Sequence, residues 1–206
     1  LEGLSKYMGN PKAFITIARK EAGYRPVSER IYDFGEVEQT LNREDRKLQA
    51  SRCMDCGIPF CHWACPLGNK MPEWQDLIYK GKWKEGVESL HETNNFPDFT
   101  GRICPAPCEK SCVLALHEAP VTIRENEAAV TEVAFTEGMI VAHPPKTRTS
   151  KKVAVIGSGP AGLAAALGRA RLPDAQGQVG GSAGLPARTD PDGLPGQHRL
   201  DARPLS

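Results

Sequence analysis

Apolar residues return at helical intervals through the middle of the chain. In residues 42–53, "NREDRKLQASRC", Asn42 stands where a helix cap belongs, Asp45 falls in the first turn and Leu48 points toward a core. In residues 71–81, "MPEWQDLIYKG", Pro72 suits a helix start and Gly81 a helix stop. Trp74, Leu77, Ile78 and Trp83 recur at helical spacing and read as core packing. "WKEGVESLHETNN" continues as a second short helix ending at Asn94 and Asn95, followed by the turn-rich "FPDFTGRICPAPC". Residues 122–137 carry the strongest helical pattern. There Ile123, Val130, Val133 and Ala134 share a broad face, and Gly138 ends the run.

Outside this region the pattern weakens. Residues 8–35 mix short apolar runs with Gly and Pro and read as an irregular arm; Met8 is a candidate natural start. Residues 142–152, "AHPPKTRTSKK", read as a solvated, Pro-rich linker. "VAVIG" then predicts a buried strand running into a glycine turn and the helix "SGPAGLAAAL". From about residue 169 the chain has no Lys, no Ile and no aromatic residue and is crowded with Gly, Pro and Arg. Such a composition buries too little apolar surface to offset its ordering entropy, so this tail is expected to be disordered.

Charge narrows the function classes. The 206 residues carry 26 basic and 25 acidic side chains, a balance that gives no electrostatic case for nucleic acid or an anionic membrane. No run approaches the roughly 18–20 apolar residues of a membrane span, and the N-terminus lacks a signal-peptide core. The expectation is a soluble, cytoplasmic protein.

The chemistry is concentrated in the cysteines. All seven lie between residues 53 and 112, an odd count that argues against a secreted disulfide framework. "CMDCGIPFCHWACP" spaces Cys53, Cys56, Cys61 and Cys65 by two, four and three residues and closes on Pro66. The bacterial ferredoxin run is similar, and there the fourth cysteine ligates a different cluster. By that logic Cys53, Cys56 and Cys61 hold one cubane and Cys65 begins another. "CPAPCEKSC" adds Cys104, Cys108 and Cys112. Two [4Fe–4S] cubanes take about eight ligands. Either one ligand is therefore not cysteine, or a single cubane leaves three cysteines spare. Zinc sites favour two CxxC knuckles roughly 15–20 residues apart, and this chain has one CxxC, so iron–sulfur is the stronger reading. A zinc-stabilised interaction module is the rival from another class. His62, between Cys61 and Cys65, reads as an outer donor or an exposed side chain and not as a ligand.

"RCMDCGIPFCHWACPLGN", "PEWQDLIYKGKW", "LHETNNFPDFTGRICPAPCE" and "PVTIRENE" together resemble the N-terminal domain of the glutamate synthase small (beta) subunit, a domain shared with dihydropyrimidine dehydrogenase. The resemblance runs from residue 8 to about 167. It implies a mainly α fold: a helical domain binding two [4Fe–4S] clusters, followed by FAD- and NADPH-binding domains. It assigns Cys53, Cys56, Cys61 and Cys112 to one cluster and Cys65, Cys104 and Cys108 to the other, with Glu127 at the position of the eighth ligand. It further implies NADPH oxidation at FAD and electron delivery to a glutamate synthase large (alpha) subunit; a small subunit feeding another reductase is the alternative within the family.

"VAVIGSGPAGLAAA" places Gly157, Gly159 and Gly162 in GxGxxG spacing between a predicted strand and helix. With Ser158, Pro160 and Ala161, this turn resembles the family's FAD site. A second strand ending in an acidic residue, expected about 20 positions later, is not legible in "GRARLPDAQGQVGG". The expected organisation is an arm (1–35), a helical iron–sulfur domain (36–141), a linker (142–152), an incomplete α/β, Rossmann-like start (153–168) and a disordered or out-of-frame tail (169–206). A chain so organised is expected not to oxidise NADPH by itself.

Overall fold

The computed structural model describes residues 10–141, 147, 152–171 and 176–178. These divide into two units, one built from residues 10–29 and 36–141, the other from residues 30–35 and the described residues beyond 142. The candidate start at Met8, most of the linker and most of the tail lie outside the described residues.

The first unit is helical. In chain order it contains α1 (Ala13–Thr16), α2 (Val27–Arg30, whose last residue belongs to the second unit), α3 (Arg43–Ser51), α4 (Phe60–Ala64), α5 (Met71–Tyr79), α6 (Trp83–His91), α7 (Pro97–Ile103), α8 (Pro107–Lys110), a 3₁₀ turn (Val113–Leu116) and α9 (Ile123–Thr136). Helix α9 is the hub: α3, α5, α6, α7 and α8 all pack on it. The core joins Trp74 and Ile78 of α5, Trp83, Val87 and Leu90 of α6, and Ile123, Val130 and Ala134 of α9. Burying each Val, Leu or Ile side chain here contributes roughly 1.5–3 kcal/mol by leaving water.

Local signals act where the pattern placed them. The Asn42 side chain accepts from the Asp45 amide at 2.8 Å, satisfying an orphan donor at the start of α3. Gly81 and Gly138 stop α5 and α9 with φ of 72° and 64°. Leu48 departs from expectation: it is exposed, and the buried face of α3 carries Arg46, Gln49, Ala50 and Ser51. The reason is that α3 packs on chain with unpaired backbone groups. Gln49 donates to the Ala18 carbonyl and accepts from the Lys20 amide, each at 3.0 Å, so polar side chains complete what the arm lacks.

Two segments expected to be irregular are partly regular. The arm contains α1 and α2, and its Tyr24 forms an antiparallel bridge to Glu38 just beyond it. The turn-rich segment forms α7, which starts at Pro97, and Pro is favoured in a first helical turn. Gly101 of α7 lies against α9 so closely that a Cβ there would sit 2.6 Å from the Ala128 amide nitrogen. No residue but glycine fits without separating the two helices.

In the second unit, β1 (Lys152–Ala154) leads into α10 (Pro160–Arg171), and β2 (Gln176–Gln178) pairs with β1 in parallel. The strand is shorter than "VAVIG" and is not buried; Ile156 is almost fully exposed. A parallel strand is buried when helices cover both faces and neighbours flank it, and the described residues supply one helix and one short neighbour. Helix α10 runs to Arg171, and β2 falls within the segment expected to be disordered; its "QGQ" carries no β-branched residue to announce a strand, and no acidic residue directly follows it.

Candidate metal centre

All seven cysteines are free thiols. Cys53 follows directly on Arg52, the C-cap of α3, and its amide is bonded to the Ala50 carbonyl at 3.1 Å. Cys56 lies in the loop that follows, Cys61 is the second residue of α4, and Cys65 caps the end of α4. Cys104 caps α7, Cys108 sits in α8, and Cys112 stands at the start of the 3₁₀ turn.

Four thiol side chains, those of Cys53, Cys56, Cys61 and Cys112, line one cavity. Its other walls are apolar, among them Met54, Phe60, Met71, Val121 and Ile123, with the single exception, among the described residues, of Gln75. Burial pushes the Cys53 and Cys61 thiols up to about 12, and neighbouring thiols add to the effect. Cys56 is raised for the same first reason and then by Cys112. Such thiols keep their protons until a cation makes the thiolate favourable, so metal uptake here releases protons.

Cys65, Cys104 and Cys108 do not line that cavity. Cys108 is buried, and its thiol is raised by desolvation first and then by Glu109, Cys65, Glu127 and Cys104, which places these groups in one electrostatic neighbourhood. The Ala106 amide, in a left-handed turn with φ of 53°, donates to the Cys104 sulfur at 3.4 Å. Glu127 is 7 % exposed, so it is not a solvated surface group. Its Oε1 accepts from the Asn94 amide at 2.9 Å and from the Thr100 hydroxyl. Burial raises Glu127 to about 7, while those two hydrogen bonds oppose the shift.

Side chains that the cysteine pattern did not announce organise the surroundings. Arg52 is buried and donates to the carbonyls of Ile17, Ala119 and Pro120 at 2.9, 2.7 and 2.8 Å. Arg19 donates to Pro120 and pairs with Glu109 at 2.9 Å, and Glu109 in turn accepts from the Arg124 amide at 2.9 Å. The two guanidiniums clasp the loop leading to α9 and tie it to α8, the arm and the residue before Cys53. No sequence signal separates these arginines from the solvated majority. His62 Nε2 lies 3.4 Å from a Glu73 carboxylate oxygen without hydrogen-bond geometry, and His62 is not among the cavity-lining residues.

Among the described residues no three His, Cys, Asp or Glu side chains converge as donors of a metal ion. The donor set nonetheless suits an iron–sulfur cluster: soft thiols in an apolar wall, distributed around a space. Neutral thiols are not drawn together, and a cubane is held at the corners of a cage instead of at one point.

In the second unit, Gly157 has φ of 122°, and a Cβ on Gly162 would lie 2.2 Å from the Gly157 carbonyl oxygen. Both positions of the turn therefore require glycine. Ser158, Gly159, Pro160 and Ala161 are exposed.

Residues 30–139 match the family described as dihydropyrimidine dehydrogenase domain II, 4Fe-4S cluster, and the chain belongs to that family of iron–sulfur domains. Over 160 residues it is 53% identical to the glutamate synthase [NADPH] small chain of Mycobacterium tuberculosis, covering 77% of this chain and 33% of that one. The small chain of the same name from Bacillus subtilis is 47% identical over 168 residues, covering 77% and 34%. The glutamate synthase [NADH] of Schizosaccharomyces pombe is 48% identical over 157 residues, 75% of this chain and 7% of that one. The chain spans about a third of the length of the bacterial relatives. No helix among the described residues is long and apolar enough to cross a membrane.

Proposed function

We propose that this chain is an electron-transfer module of an NADPH-dependent glutamate synthase small subunit, carrying electrons from NADPH and FAD toward a large subunit. The observation that carries the reading is the cavity lined by the thiols of Cys53, Cys56, Cys61 and Cys112 in otherwise apolar walls. Cys65, Cys104, Cys108 and Glu127 are the proposed holders of a second [4Fe–4S] cluster. A bound cluster supplies one-electron transfer with little rearrangement. The chain's part is to provide thiolates, exclude water with Met54, Phe60, Met71 and Ile123, and keep the ligands in register through Arg19, Arg52 and Glu109. The glycine turn at Gly157–Gly162 is the proposed start of an FAD site: Gly157 allows the turn, and Gly162 lets α10 begin close to it.

Iron, acid-labile sulfide and zinc per chain, measured on protein reconstituted without oxygen, test this reading. About eight iron and eight sulfide are expected for two cubanes. About four of each leave one cubane and remove Glu127 from the ligand set. Zinc without sulfide overturns the electron-transfer function.

A further inference from the structure

We propose that the side-chain amide of Gln75 donates a hydrogen bond to sulfur of a cluster held by Cys53, Cys56, Cys61 and Cys112, and that Arg46 and Asn126 fix the direction of that donor. The inference rests on the iron–sulfur reading above. Gln75 is fully buried, lines the thiol cavity, and its Nε2 has no hydrogen-bond partner. A buried amide nitrogen left unpaired in this way marks an acceptor still to come.

The orientation of that amide follows from its neighbours. A guanidinium only donates. Arg46 Nη1 lies 3.0 Å from Asn126 Oδ1, which also accepts from the Thr122 hydroxyl at 3.2 Å. Asn126 therefore turns its oxygen to Arg46 and its nitrogen to Gln75, donating from Nδ2 to Gln75 Oε1 at 2.7 Å. With its oxygen so engaged, Gln75 presents N–H to the cavity. Reversing either amide sets donor against donor at a buried contact. Arg46 is itself buried and paired with Glu125 at 3.3 Å, so the relay is a fixed row of dipoles and not a free charge.

The cavity offers this donor little else. Its remaining walls are apolar or thioether, and a neutral thiol is a weak acceptor. Thiolate or sulfide carrying negative charge is a good one. Hydrogen bonds to such sulfur stabilise the more negative, reduced form and raise the reduction potential. Gln75 is thus a positioning and tuning residue for the first thiol set, reached through α3 and α9.

The test is an EPR-monitored redox titration of the full chain, reconstituted without oxygen. In Gln75→Leu one cluster signal is expected to titrate at a lower potential while the other stays in place and iron and sulfide per chain are unchanged. Asn126→Asp supplies a carboxylate that accepts from both Arg46 and Gln75, turning the Gln75 carbonyl toward the cavity. The same signal is expected to move the same way with Gln75 intact. Pulsed EPR of the reduced wild type, labelled with ¹⁵N in glutamine side chains, is expected to show a nitrogen coupled to one cluster, and this reading needs no variant. Loaded variants with unmoved potentials overturn the proposal, and so does the absence of that coupling. Wild-type protein without acid-labile sulfide removes the iron–sulfur reading instead.

Discussion

The two thiol sets of the helical unit are built in opposite ways. The first draws three members from residues 53–61, a stretch from the end of α3 into α4, and gains only Cys112 from afar. The second has Cys65 at the end of α4, Cys104 at the end of α7, Cys108 in α8 and, beside them, Glu127 of α9. A locally spaced loop largely shapes the first set by itself. The second exists because several helices pack on α9. The contrast teaches that a short cysteine motif can be read from spacing, while its neighbour depends on contacts such as that of Gly101 with Ala128.

The sharpest break removes the distant member of the first set. Cys112→Ser is expected to lose the cluster of Cys53, Cys56 and Cys61 and keep the other, halving iron and sulfide per chain. Loss of the Cys104 and Cys108 cluster instead reverses the assignment. EPR of the reduced protein separates the two outcomes.

The second set is sensitive to pH in the metal-free protein. Glu127 keeps its proton up to about pH 7 in the fold, against an ordinary value of 4.5. The native state therefore binds a proton that the unfolded chain has released. Stability from this group is fully present below pH 4.5 and lost as pH rises to about 7, a change of about 3 kcal/mol. Urea unfolding between pH 4.5 and 7 is expected to show that fall in wild type and a flatter profile in Glu127→Gln. Equal slopes in the two proteins place the titration elsewhere.

A smaller effect is expected from Gly101→Ala. Its Cβ collides with the α9 backbone, and overpacking of this kind costs about 2 kcal/mol. Thermal unfolding reads the loss, and metal analysis is expected to show the Cys104 and Cys108 cluster failing before the Cys53 cluster. Smallest is Asn42→Ala, which removes the cap of α3 and costs about 1 kcal/mol in chemical denaturation, with both sets still loading. A cap variant that loses the first set would mean that α3 places Cys53 more stringently than its loop does.

Much of this fold is legible in the sequence itself. The N-cap at Asn42, the glycine stops, the Trp74–Ile78 stripe and the long helix over residues 122–137 follow from nearest-neighbour chemistry and a 3.6-residue period. Cysteine spacing favours iron–sulfur over zinc, in line with the family that residues 30–139 match, because a tight loop allows few ways to surround a cluster. Leu48, by contrast, defies the pattern because amphipathic logic assumes that a helix buries its apolar side. Here α3 meets the carbonyls of the arm and Asn126 of α9, and polar side chains serve that interface better.

What the sequence by itself determined is the set of chemical parts: soft thiols, a helical frame, and glycines where no other residue turns. Tertiary structure decided which parts meet. It brought Cys112 into the wall with Cys53, buried Glu127 beside Asn94 and Thr100, and set Arg46, Asn126 and Gln75 in a row. The physical reason is range. Caps, turns and loop spacing act over a few residues and leave their mark in adjacent letters, whereas burial and hydrogen bonding across helices depend on packing that no local pattern records.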